Sequence, residues 1–271
     1  MSLGKAIKDR ILPPEMAEQL ASIPRAPGEF KRDPWGMDKE RSWLSFAVCK
    51  RLYDDYFRVQ ANGLENVPTK GRLLVIANHS GQLPMDGLLI GMALSTNPHG
   101  ARAPRAMIER FFPTVPFVGN ALNHMGAVIG DPVNCSRMLE HEACIVVFPE
   151  GIRGSGKPYA DRYQLQRFGT GFMHLALKHN TPILPVGVVG CEETMPSAGN
   201  IKPLAKLLGI PYFPLAFPLP LPARVTLNFG KPLTFEGSVD SEDEVVAHVE
   251  TVKSHINALI EDGLNDRTSV Y

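Results

Sequence analysis

Apolar residues in this chain gather in short continuous runs separated by polar, glycine- and proline-rich breaks. Leu73 to Ile76 is such a run, bounded by turn residues, which is the pattern of a strand buried on both faces of a parallel sheet. Ala143 to Pro149 (ACIVVFP) and Pro182 to Val189 (PILPVGVV) have the same character. Ala103 to Glu109 and Gly126 to Ile129 read as further strands, Val59 to Leu64 as a short edge strand, and Ala223 to Gly230 as a late one around RVTLNF. Gly87 to Met92, Asn134 to Glu142 and Gly169 to His179 carry helical patterns between them. Strands alternating with helices predict an α/β chain: a mainly parallel mixed sheet covered by helices on both faces.

Two regions flank that pattern. Residues 1–37 are rich in Pro, Gly and charge and predict a short helix followed by an irregular N-terminal arm, leaving 38–271 as a single domain. From Asp38, an N-cap residue type, the sequence DKERSWLSFAVCKRLYDDYFRVQ predicts one long amphipathic helix. Trp43, Phe46, Ala47, Leu52, Tyr53, Tyr56 and Phe57 form its apolar stripe. The stripe suits packing on the sheet, and the basic residues around it suit a lipid surface. Leu204 to Leu221 is strongly apolar, but its prolines forbid a regular helix or a central strand. It reads as a buried loop or as a greasy surface. Ser241, with Glu244 three residues on, predicts the capping box of a closing helix that runs to Leu264.

Composition narrows the partners. The 28 Lys and Arg balance the 28 Asp and Glu, so no global charge points to nucleic acid, and any anion site is local. Cys49, Cys135, Cys144 and Cys191 show neither C-x-x-C nor metal-ligand spacing. That favours reduced, buried thiols and a cytoplasmic setting. The first residues carry too many charges for a signal peptide, and no apolar run approaches the roughly 18 residues of a spanning helix. The expectation is a protein that is soluble or peripheral on the cytoplasmic face of a membrane.

Candidate chemistry sits where strands end. After Ile76 the chain turns polar at Asn78, His79 and Ser80, and Asp86 opens the next helix. In open α/β sheets that strand end is where ligands bind. A carboxylate accepting one imidazole N–H leaves the other nitrogen as a base, so His79 and Asp86 read as a base dyad. The second constellation follows Pro149: Glu150, Gly151 and Arg153, with Lys157 nearby. Arg153 offers planar donors for phosphate, and Glu150 is expected to anchor it or to bond a substrate hydroxyl. Gly151 to Lys157 matches the start of a phosphate loop, but Pro158 stands where Ser or Thr must ligate magnesium, so no nucleotide cofactor is expected. No metal motif and no G-x-S-x-G elbow occurs. A base, a guanidinium for phosphate, a greasy segment and no metal or nucleotide motif together suggest transfer onto a hydroxyl of an amphipathic, anionic substrate.

In these motifs the chain resembles the glycerolipid acyltransferases, the lysophosphatidic-acid-acyltransferase-like enzymes, over roughly Asn62 to Leu233. The first block of that family, N-H followed by Asp, is matched by Asn78, His79 and Asp86, with six residues between His and Asp where most members have four. The third, F-P-E-G-T-R, is matched by Phe148, Pro149, Glu150, Gly151 and Arg153, with Ile152 for Thr. The fourth is matched by Thr181 to Val186. The second, G-x-x-F-x-x-R, is degraded to GAVIGD at Gly126 to Asp131, with no arginine in register, so the expectation is either that Arg153 and a neighbour such as Arg105 or Arg110 take its place or that the acceptor carries a different headgroup. The resemblance implies direct transfer from acyl-CoA or acyl carrier protein, a co-substrate rather than a cofactor, to a lysophospholipid or related acceptor. It also implies that backbone N–H groups of the glycine turns near residue 81 or at Gly151 meet the oxyanion. The competing readings are an acyl thioesterase and a lipid-binding protein with a decayed dyad.

Overall fold

The structure, a computed structural model, describes residues 8–24, 33–80, 84–110, 113, 117–201, 203, 206, 214–216 and 219–271. Helix α1 (Pro14–Ser22) precedes α2 (Lys39–Arg51). Then come β1 (Gln60–Asn62), β2 (Leu73–Ala77), α3 (Met85–Ser95), β3 (Pro104–Ile108), α4 (Val118–His124), β4 (Val128–Ile129), α5 (Pro132–Glu140) and β5 (Cys144–Val147). The short α6 (Ile152–Ser155), α7 (Gly171–His179), β6 (Ile183–Val189), α8 (Cys191–Thr194), β7 (Ser197–Asn200), β8 (Pro214–Ala216), β9 (Thr226–Phe229) and α9 (Glu242–Asn265) complete the order. The main sheet runs β1-β9-β6-β2-β5-β3-β4. Among the described strands of this sheet β6 and β9 pair antiparallel and the other neighbours pair in parallel, and β1 lies at an edge, as the sequence predicts.

Strand β2 holds the middle. It pairs in parallel with β5 (Ile76 beside Val147) and with β6 (Leu74 beside Ile183), and every one of its residues is buried. Successive side chains on a strand point to opposite faces, and this sorts the core into two layers. Leu73, Val75 and Ala77 join a cluster with residues of α1, α2 and α3, whereas Leu74 and Ile76 join one with residues of α5, α7 and α9. Helix α9 lies close on β6 because Gly187 has no side chain: a Cβ there would fall 2.7 Å from Leu259.

Two expectations, the extent of the helix from Asp38 and the capping box at Ser241, change in detail. The long helix from Asp38 is capped as predicted, with the Asp38 carboxylate accepting from the Glu40 and Arg41 N–H groups. It stops at Arg51, however, and relaxes through a π turn at Leu52–Tyr56 before Arg58 takes a left-handed φ of 46°. Its buried face uses Phe46, Ala47, Cys49, Tyr53 and Phe57, leaving Tyr56 exposed. The N-terminal arm is tied to the body: Leu20 and Ile23 are in the core, and Asp33 forms a buried ion pair with Arg105. Ser241 occupies the N-cap of α9 without a side-chain cap bond, while Glu244 accepts the Ser238 N–H at 3.2 Å, so the capping box does not form. Most of the proline-rich apolar segment lies outside the described residues; Pro214–Ala216 within it pairs with β7 in a separate two-stranded sheet. All four cysteines are free and buried, and burial pushes the thiols of Cys49, Cys135 and Cys144 up to about 11.

Asn78 extends the β2–β6 pairing by a side chain. Its amide donates to the Val188 carbonyl at 3.0 Å and accepts from the Val188 N–H at 2.7 Å, fully buried. The Asn78→Ala variant strands both backbone groups away from water and is expected to lose about 1–3 kcal/mol of stability per orphaned group. Chemical denaturation reads this as a lower midpoint at unchanged slope.

Candidate active site

Because β2 and β5 are parallel neighbours, the turns that follow them share one edge of the sheet. His79 leaves β2 there and Asp86 lies in the first turn of α3, completely buried. The imidazole Nδ1 stands 2.6 Å from Asp86 Oδ2. Six intervening residues therefore still bring the pair together. The same carboxylate oxygen accepts the Ser80 N–H at 2.8 Å, and Oδ1 accepts the Gly87 N–H at 2.7 Å. A carboxylate beside Nδ1 accepts its proton, so a neutral His79 keeps its lone pair on Nε2. The ring stacks on Phe148, centroids 4.6 Å apart, and 15% of the side chain remains exposed.

Glu150 holds the other end of the histidine. It does not anchor Arg153: its buried carboxylate accepts the His79 backbone N–H at 2.9 Å and the Gln166 N–H at 2.7 Å. It thus staples the β2 turn to the segment that leads into α7. Lys157 stands 3.9 Å from the same carboxylate while donating to Glu192 at 2.9 Å and to the Gln164 carbonyl at 3.1 Å. The close fit depends on Gly154, where a Cβ would lie 2.8 Å from His79 Cβ and 2.7 Å from Glu150 Cβ. Arg153, one residue earlier, is exposed and donates to the Arg167 carbonyl at 3.3 Å.

Other candidates serve the scaffold. Arg105 is 2% exposed, paired with Asp33 and set 5.6 Å from the centre of the Trp35 ring, so it cannot bind an acceptor. Ser80 and Asn78 are fully buried. The Gly151 N–H donates to the Phe148 carbonyl at 3.0 Å and is not available to an oxyanion, and Gly81 lies outside the described residues. No cluster of three or more His, Cys, Asp or Glu placed to hold a metal ion occurs among the described residues.

One residue escaped the motif reading. Glu109 follows β3, the neighbour of β5, and with Met107, Ile108, Arg110 and Gly130 it lines an open cleft of about 410 Å³. Its carboxyl is raised above the ordinary range by partial burial, against the opposing pull of His79. The clue in the sequence was only that Glu109 ends a strand at the edge where the chemistry gathers. For His79 itself, burial favours the neutral ring but is outweighed by the charge and hydrogen bond of Asp86, helped by Glu150 and Glu109, so its pKa is raised.

Residues 58–189 match the family model described as Acyltransferase. Uncharacterized proteins of Mycobacterium tuberculosis and Mycobacterium leprae are 34% and 35% identical, each over 86% of this chain and over 70% and 68% of their own lengths. A bovine protein, "DGAT1/2-independent enzyme synthesizing storage lipids", is 23% identical over 74% of this chain and 59% of its own. The crystal structure of the 1-acyl-sn-glycerophosphate acyltransferase PlsC from Thermotoga maritima superposes with a TM-score of 0.59 at 21% identity, covering 85% of this chain and 83% of that one. The chain belongs to the acyltransferase family and has the fold of a glycerolipid acyltransferase.

As a general base His79 would work only when unprotonated, so its raised pKa would delay activity as pH rises. The ascending limb of the pH profile of kcat/KM is expected above the ordinary histidine value of 6.5. In Asp86→Asn it moves to lower pH, because the counter-charge is gone, while the plateau falls.

Proposed function

We propose that this chain moves a fatty acyl group from an acyl thioester, of coenzyme A or acyl carrier protein, to a hydroxyl of a lysophospholipid or related glycerolipid. The observation that carries this reading is the 2.6 Å contact between His79 and Asp86, which leaves Nε2 as the free nitrogen of a neutral ring. In the step, Nε2 takes the acceptor's proton as its oxygen attacks the thioester carbonyl. The tetrahedral intermediate then collapses, the C–S bond breaks, and the thiolate recovers the proton from the imidazolium. Base catalysis of this kind is worth about 10² to 10⁴ in rate, so alignment of the two substrates must supply much of the rest. Arg153, exposed on the turn beside Gly154, is the guanidinium offered to a substrate phosphate, coenzyme A included.

An apolar surface supports contact with the cytoplasmic face of a membrane. Leu44 and Val48, one helical turn apart on α2, and Phe117 and Val118 at the start of α4 are all exposed, and the two helices pack against each other. Exposed apolar groups on two packed helices fit shallow insertion between lipids. No helix among the described residues is long and apolar enough to cross a membrane.

Free-thiol formation from a long-chain acyl-CoA, with and without a lyso-glycerolipid, tests the reading. Acceptor-dependent thiol release is expected, falling by about 10² or more in His79→Ala, the scale of general-base catalysis, with an unchanged circular dichroism spectrum. Thiol release without any acceptor identifies a thioesterase, and near-normal transfer by the folded variant removes His79 from the chemistry.

A further inference from the structure

A base that takes a proton from a bound hydroxyl has to aim one nitrogen along a fixed line. A histidine side chain does not do this unaided, because rotation of its ring about the Cβ–Cγ bond is broad, without the sharp wells of an aliphatic torsion. The root of His79 is well fixed here. Glu150 accepts its backbone N–H at 2.9 Å, and Gly154 sits so close that a Cβ there would lie 2.8 Å from His79 Cβ. Asp86 meets Nδ1 at 2.6 Å. One hydrogen bond at Nδ1 removes only one of the two side-chain freedoms. The combined rotation that remains swings Nε2, and it is left to packing.

Phe148 supplies that packing. Val147 and Phe148, successive residues at the end of β5, join opposite layers of the core, so the Phe148 ring turns to the α3 side of the sheet. Pro149 restricts the residue before it to extended backbone, which keeps Phe148 in the direction of the strand. There its ring stacks on the imidazole, with centroids 4.6 Å apart and planes 27° from parallel. The far edge of the ring rests over Gly87, where a Cβ would stand 3.3 Å from Phe148 Cε2 and 3.6 Å from Cζ. Asp86 and Gly87 are neighbours at the start of α3. One helix turn thus presents an acid to the edge of the imidazole and leaves space for the aromatic that covers its face.

We propose that Phe148 is a positioning residue for the transfer step: seated over Gly87, its ring sets the plane of the His79 imidazole and so the direction in which Nε2 meets the acceptor hydroxyl. This rests on the acyltransferase reading above and gives its base a second, apolar partner. The hydrogen bond selects the free nitrogen, and the stack aims it. Aim matters because a productive arrangement tolerates displacements of only roughly 0.5 Å and 10–20°. The same packing accounts for a glycine at 87, inside a helix that would ordinarily favour alanine. A side chain there forces the Phe148 ring to give way by a few tenths of an ångström.

The test uses two variants of the full chain. Phe148→Leu keeps an apolar side chain but has no ring to stack, and Gly87→Ala keeps the ring but crowds its edge. Both are compared with wild type in the acceptor-dependent thiol-release assay, on the plateau of the pH profile and corrected for folded fraction. Misplacing a reacting group by about 1 Å costs about 10² in rate. On that scale kcat is expected to fall about tenfold in Phe148→Leu and about threefold in Gly87→Ala, with both KM values within about twofold of wild type. Proton NMR follows the stack itself. The carbon-bound ring protons of His79, assigned by their absence from His79→Ala, lie over the shielding face of Phe148, so they move downfield in Phe148→Leu and change in Gly87→Ala. Wild-type kcat in a folded variant whose ring protons have moved overturns the proposal and leaves acyl transfer standing. So does a rise in KM with kcat intact, which makes Phe148 a wall of the substrate site, and so do ring protons that stay put in Phe148→Leu. Wild type that releases no more thiol with acceptor than without it fails the acyltransferase reading instead.

Discussion

The organising interaction is a short hydrogen bond between a mostly buried imidazole and a fully buried carboxyl group. Asp86 is fully buried, and its carboxylate is bonded to the His79 ring and to two backbone N–H groups. Each partner answers the other's desolvation: without the imidazole the carboxylate is under-satisfied, and without the carboxylate the ring has no preferred tautomer. The geometry is possible because β2 is a central strand locked on both sides, so the turn after it inherits the rigidity of the sheet.

Around that bond the protein places a second layer of buried charge. Glu150 fixes the backbone of His79, Lys157 sits against Glu150 and Glu192, and Glu192 accepts the Tyr163 N–H at 2.7 Å. Glu193 then accepts from the Tyr163 hydroxyl and from Arg267 near the end of the chain, each at 2.8 Å. Buried ion pairs add little net stability over well-packed apolar groups, but breaking one strands its partner. Their value here lies in position: two adjacent strand-end turns, residues 190–193 and the final segment share one connected set of contacts.

Much of this was visible beforehand. The apolar runs marked β2, β5 and β6 because strands buried on both faces cannot hide their composition, and His79, Asp86 and the F-P-E-G turn announced themselves by residue type at strand ends. What the sequence could not show was which charged groups end up buried. Glu150 looked like a substrate ligand because nothing local says that it faces backbone donors from two other segments. Arg105 looked like a phosphate binder because its partner, Asp33, lies in a stretch that composition marks as an irregular arm. Nothing in the sequence singles out Gly154, since the need for a missing side chain arises only when His79 and Glu150 close on it. The helix from Asp38 ended early because apolar period alone does not reveal a π turn.

The central claim, that Asp86 holds His79 with Nε2 free to accept a proton, is tested most directly by nitrogen NMR of ring-labelled histidine. The account predicts that, in the neutral ring, Nδ1 carries the hydrogen and Nε2 the lone pair, with a titration midpoint above 6.5 that drops when Asp86 is replaced by Asn. A ring protonated at Nε2 in its neutral form, or a midpoint indifferent to residue 86, would contradict it.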